Sequence, residues 1–178
     1  MSKTYKYIIP EGVAQSFHTD EGKVALGPGE YEFDKYQYCS GTMLTKPHWK
    51  FDSGTLKNIQ NKNSSTNSQI MFLFSYRFEI VNPTQYINCT TPVLQAYNGE
   101  IEESLDGEDY IYAICANRIV NHLRSVTFAE MCALKDTEID LTQTDSFFED
   151  KKKMLDNAGV NVTQINLVIT GIDNKEVE

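Results

Sequence analysis

The side chains most able to do chemistry in this sequence are four cysteines, three histidines and a run of carboxylates. Thiolate chemistry needs a base beside the sulfur, and Cys39 with His48 is the pairing that sequence proximity allows. Nothing else supports it, and Cys39, Cys89, Cys115 and Cys132 form no CxxC pair. A metal site would need histidines and carboxylates at i, i+3 or i+4. His18, His48 and His122 are far apart, and His122, one helical turn after Arg118, reads as a helix-surface side chain. The acidic run Glu100, Glu102, Glu103, Asp106, Glu108 and Asp109 lacks the D-x-[DN]-x-[DN]-G order of a calcium loop. It reads as a solvated stretch whose acids cap the helix that follows. A phosphate loop would need GxxxxGK[ST], in which backbone amides and a lysine surround the phosphates; "LGPGEY" has a turn's glycines and no lysine. The expectation is a protein that is not an enzyme, with no catalytic residue, no metal and no cofactor; an enzyme with an unrecognised thiol or carboxylate site is the lesser alternative.

Aromatic side chains are the unusual resource: ten tyrosines and nine phenylalanines. Tyr31, Phe33, Tyr36, Tyr38, Trp49 and Phe51 crowd one short segment. Core filling of a small sheet accounts for Phe33 and some others, while partly exposed tyrosine and tryptophan are also what subunit interfaces favour, and both readings stay open. A net charge of −9 repels phosphate backbones and anionic headgroups, so neither nucleic acid nor a membrane surface is expected as a partner. Basic residues cluster only at Lys151, Lys152 and Lys153. No run reaches the roughly 18 apolar residues of a membrane span, and "MSKTYKYIIPEG" lacks a secretory apolar segment, so the expected location is the cytoplasm. The sequons at Asn63, Asn88 and Asn161 would matter only after secretion. Cys115 and Cys132 sit in apolar helical patterns, so buried thiols are expected rather than disulfides.

The elements that must position these residues change texture along the chain, and its length suits one domain, 1–178. From about 5 to 88 the pattern is antiparallel sheet: "KYII", "GVAQSF", "KVAL" and "YEF" separated by "PEG", "TDEG" and "GPG". "NKNSSTNSQ", Asn61 to Gln69, is polar and predicts an exposed loop. The strongest strand follows: Ile70, Phe72, Phe74, Tyr76, Phe78 and Ile80 share one face, while Met71, Leu73, Ser75, Arg77 and Glu79 share the other, which grows polar toward its end. Asn82 and Pro83 stop it.

From about 106 to 173 the period becomes helical. Ile111, Ile114, Cys115, Ile119, Leu123 and Val126 form one stripe. Thr127 and Glu130 stand at capping-box spacing at the head of a second, short helix. A third helix reads through "DSFFEDKKKMLDNAG", capped by Asp145 or Ser146, with Phe147, Phe148, Met154, Leu155 and Ala158 on its apolar side and Gly159 as its left-handed stop. Asp136 to Thr144 carries no clear period. A final strand carries Val160 and Val162 on one face and Ile165, Leu167 and Ile169 in the opposite phase, which predicts a bulge near Thr163. It needs neighbours to pair with, and these must come from the first half.

This order resembles the SPFH or band 7 domain of stomatins, prohibitins and flotillins. "EGVAQSF" followed by "ALGPGEYEF" is similar to the family's glycine-proline-glycine turn before a strand. "FSYRFEIVNPTQYI" resembles its tyrosine-rich central strand running into an "NP" stop and a short helix. "NRIVNHLRSVTFAEMCAL" resembles its arginine-bearing helix and capped short helix, and "LDNAGVNVTQINLVITGID" its glycine-terminated helix and closing strand. The likeness spans about Glu11 to Asp173. Family members usually add an N-terminal membrane anchor and a trailing coiled coil, and this sequence shows neither.

The resemblance implies an α+β fold, with an antiparallel β-rich N-terminal half, then helices and a closing C-terminal strand. It also implies a non-catalytic scaffold that assembles with itself or with other structural proteins, without direct membrane insertion. A structural protein of a virus or phage particle built on the same module, hence located in a virion, is the alternative. Residues expected to matter for structure or interface are Gly27, Pro28, Gly29, Tyr36, Tyr38, Trp49, Tyr76, Pro83, Arg124 and Gly159.

Overall fold

The structure is a computed structural model, and it describes residues 4–20, 22–35, 38–63, 67–90, 95–97, 100–102, 107–143 and 146–175. Its elements run β1 (Tyr5–Ile9), β2 (Val13–Thr19), β3 (Gly22–Leu26), β4 (Gly29–Phe33), β5 (Tyr38–Leu44), β6 (His48–Gln60) and β7 (Asn67–Ile80). There follow α1 (Pro83–Thr90), β8 (Gln95–Tyr97), β9 (Glu100–Glu102), α2 (Gly107–Ser125), α3 (Phe128–Ala133), β10 (Glu138–Asp140), α4 (Ser146–Asn157) and β11 (Val160–Lys175). Antiparallel sheets with four helices among the described residues make this an α+β fold. The chain forms two compact units interleaved in sequence. Unit 1 is Met1–His48, Glu79–Ile111 and Lys152–Asn161; unit 2 is Trp49–Phe78, Tyr112–Lys151 and Val162–Glu178.

In unit 1 the turn-separated runs become β1 paired with β4 and a second sheet in the order β3-β2-β5. Ring packing closes its core: Tyr7 meets Phe17 edge-on at 5.1 Å, and Phe33 lies 5.9 Å from Phe17. The register of β2 on β5 shifts between Ser16 and Phe17, so both neighbours in sequence are buried; the Ser16 hydroxyl donates to Gly41 O at 3.4 Å. The "NP" stop does two jobs. Asn82 caps α1, its side chain accepting from Gln85 N at 3.0 Å, and Pro83 takes the first helical position, where its missing N–H costs nothing. Thr84 Oγ1 then donates to Ala25 O, tying α1 to β3 at 3.2 Å. β8 and β9 pair as a short hairpin inside the acidic approach that the sequence reads as a solvated loop.

In unit 2 the alternation of β7 decides the core. Ile70, Phe72, Phe74, Tyr76 and Phe78 are buried, each worth about 1.5–3 kcal/mol relative to exposure. Ile114, Cys115, Ile119 and Leu123 of α2 are buried too, as the stripe predicts. The capping box of α3 forms in full: Glu130 N donates to Thr127 Oγ1 at 3.3 Å, and Thr127 N donates to Glu130 Oε2 at 2.8 Å. Asn58 is left-handed (φ +58) within β6, and beyond it the phase changes, so that Ile59 is buried.

β11 lies between β7 and β10 in a four-stranded sheet ordered β10-β11-β7-β6. The closing strand therefore pairs with a strand of the first half. Its buried residues change phase around Thr163, from Val160 and Val162 to Ile165, Leu167 and Ile169. The segment from Asp136 to Thr144, without a period of its own, supplies β10, registered as Glu138↔Val168 and Asp140↔Asn166.

Three sequence expectations are corrected. Asn61 is buried rather than looped into solvent, because its amide donates to Leu123 O at 2.9 Å at the end of α2. Cys132 is exposed, since α3 buries Met131 instead, and Cys89 is exposed as well. Cys115 alone of the described thiols is buried, and burial pushes its pKa up to about 12. Among the described residues no helix is long and apolar enough to cross a membrane.

Candidate functional site

Side chains on successive strand positions point to opposite faces, so burying the even positions of β7 turns Met71, Leu73 and Ser75 outward. Leu73 is 51% exposed. On β6, Gly54 packs against the inner ring of Phe72, which sends Trp49 and Phe51 to the outer face. Those two rings stack at 6.0 Å with 25° between planes, and Phe51 is 76% exposed. On β11 and β10 the register places Asn166, Val168 and Glu138 on the same outer face, because Leu167, the register partner of Ile139, is buried on the other.

Together these residues enclose an open cleft of about 460 Å³ in unit 2, with Asp52 at its β6 side. Across the sheet order, the apolar Leu73 and Val168 lie between the aromatic pair of β6 and Glu138 of β10. Asn166 is 8% exposed, and both ends of its amide are used: Nδ2 donates to Glu138 Oε1 at 2.6 Å, and Oδ1 accepts from Gln164 Nε2 at 3.3 Å. The glutamate is thus held by its neighbour on the adjoining strand. Beyond it, Asp140 is held below the usual carboxylate range by hydrogen bonds from the Thr142 hydroxyl and amide. Among the described residues, the lining carries two carboxylates and no lysine, arginine, histidine or cysteine. Such a surface can offer apolar contact, aromatic faces and negative charge to a ligand.

A second open groove, of about 670 Å³, lies in unit 1, with Gly27, Pro28, Thr45, Lys46, Val81 and Pro83 among its walls. Val81 is 60% exposed there. Three residues expected from sequence, Gly27, Pro28 and Pro83, thus meet at one place. The glycine-proline-glycine turn is braced by Tyr31, whose hydroxyl donates to Gly27 O at 3.0 Å, and Gly29 takes φ +149.

The other expected residues scatter. Trp49 lines the cleft. Tyr76 serves the core: it is 4% exposed and stacked between Phe74 and Phe78, because it shares their strand parity. Tyr38 opens β5 opposite His18, and Tyr36 lies outside the described residues. Arg124 is exposed in the last turn of α2, and Gly159 ends α4.

Another arginine of α2, Arg118, ties the helix to the segment after β10. It is 9% exposed, donates from Nε to Leu141 O at 3.3 Å and from Nη2 to Gln143 O at 3.1 Å, and lies 5.6 Å from the Phe148 ring centroid. Its position within the apolar stripe of α2 was the available signal. Asp52, Glu138, Asn166 and Val168 had none, since no local spacing links them. Among the described residues no group of three or more histidine, cysteine, aspartate or glutamate side chains could hold a metal ion. Compared with known proteins, the chain matches no protein-family model and no curated protein.

Proposed function

We propose that this chain is a non-catalytic assembly module, an SPFH-like scaffold that packs against copies of itself or against other structural proteins. The observation that supports it is the apolar surface left open on each unit. Unit 1 exposes Ile8 (74%) and Val81 (60%); unit 2 exposes Phe51 (76%) and Leu73 (51%) beside Trp49 and Met71. Scattered exposed leucines are ordinary, but apolar side chains gathered in a cleft or groove mark surfaces that something covers. An antiparallel sheet with one packed face can keep the other for that purpose.

Light scattering on the size-fractionated chain tests this reading. Oligomers larger than the monomer are expected, and their mass should fall when Ile8→Glu and Val81→Glu are combined. A monodisperse monomer at every concentration overturns self-assembly.

A further inference from the structure

We propose that the cleft of unit 2 binds a lysine or arginine side chain presented by an extended, apolar-flanked segment of a partner protein of different sequence. This rests on the reading of the outer sheet face as a docking surface. Trp49 and Phe51 turn stacked aromatic faces to solvent, and the negative potential over such faces attracts cations. Glu138 puts negative charge at the side of the cleft away from the aromatic pair, Asp52 lies in its β6 rim, and among the described residues of the lining no positive side chain offsets them. Glu138 is already fixed by Asn166, and Asn166 by Gln164, so little rearrangement is needed when a cation arrives.

The apolar pair Leu73 and Val168 suits the methylene stem behind a charged head, which long cationic side chains bury while their tips stay polar. A volume of about 460 Å³ falls in the range of small-ligand sites. Among the described strands β6 ends its sheet, and an extended segment is the partner shape that such an edge accommodates. The occupant is a different protein because the cleft calls for a basic segment, and this chain, with 25 acidic residues against 16 basic ones, is poor in such segments.

Trp49 is the only tryptophan in the chain, so tryptophan emission reports this cleft directly. The full chain is titrated with an acetylated pentapeptide alternating valine with lysine and arginine, and with the same peptide carrying glutamine in place of both cations. The basic peptide is expected to shift or quench the emission saturably, and the glutamine peptide to bind at least fivefold more weakly. Asp52→Asn combined with Glu138→Gln should weaken the basic peptide roughly fivefold, and Phe51→Leu about threefold, in variants whose circular dichroism is unchanged.

Equal binding of both peptides, or unchanged affinity in all these variants, overturns the proposal. So does an equal response to tetramethylammonium, which would assign the cleft to a free small cation. An emission change on raising protein concentration that the basic peptide fails to reverse also overturns it, because a second copy is then the occupant. Loss of self-assembly in the light-scattering experiment with peptide binding intact would remove the scaffold's self-association and leave the cleft's ligand in place.

Discussion

Gly159 and Asn82 are joined backbone to backbone: the carbonyl of Gly159 accepts from Val81 N at 2.9 Å and from Asn82 N at 3.1 Å. One contact ends α4 and begins α1. Gly159 takes φ +71, and a Cβ added there would lie 2.8 Å from the Asn82 Cβ and against its carbonyl oxygen. Gly159→Val should therefore destabilise the chain by about 1–2 kcal/mol through the left-handed backbone alone, with the steric conflict added to that. Thermal melting should drop by roughly 2–8 °C. An unchanged melting temperature would refute the helix stop.

Two strand glycines should behave oppositely. A Cβ on Gly54 would meet the buried Phe72 ring at 2.5 Å, whereas one on Gly171 would meet mainly the terminal methyl of Met71, which can swing away. Gly54→Ala should cost about 1–3 kcal/mol. Gly171→Ala should stay within about 0.5 kcal/mol of the parent. Denaturant midpoints of the two variants check the contrast, and equal losses would contradict the packing described.

The capping box makes α3 sensitive to pH. The Glu130 carboxyl is held below the usual carboxylate range, chiefly by the Thr127 backbone amide and then by its hydroxyl. Its folded value lies below the unfolded one, so the stabilisation is present above the unfolded value, about 4.3, and is lost as pH falls through the folded value. The difference in melting temperature between the parent and Glu130→Ala should shrink as pH drops from 7 to below about 4. A difference that holds constant across that window would contradict the cap. Thr127→Ala should cost about 1 kcal/mol at neutral pH.

The described thiols should separate by reactivity. Burial pushes the Cys115 thiol up to about 12, so it stays protonated and shielded at pH 8, while Cys89 and Cys132 are exposed. Alkylation of the native chain followed by peptide mass mapping should label Cys89 and Cys132 first and Cys115 only on unfolding. Rapid native labelling of Cys115 would contradict its burial.

Local rules acting over a few residues were legible in the sequence alone. The alternation from Ile70 to Ile80 marked the inner face of β7, the stripe from Ile111 to Leu123 marked α2, Thr127 and Glu130 marked the start of α3, and Gly159 marked the end of α4. Each depends on side-chain direction, a cap or a backbone angle that neighbours within about one turn determine. Only the tertiary structure decided that Asn61 is buried under the last turn of α2, that Tyr76 serves the core, that Cys132 faces outward and that a segment without period becomes β10. The cleft belongs to this second kind. Trp49, Leu73, Glu138 and Val168 come from four strands, and they share one face only because β11 inserts between β7 and β10 in this register. Long-range strand pairing sets that register, and no spacing along the chain encodes it.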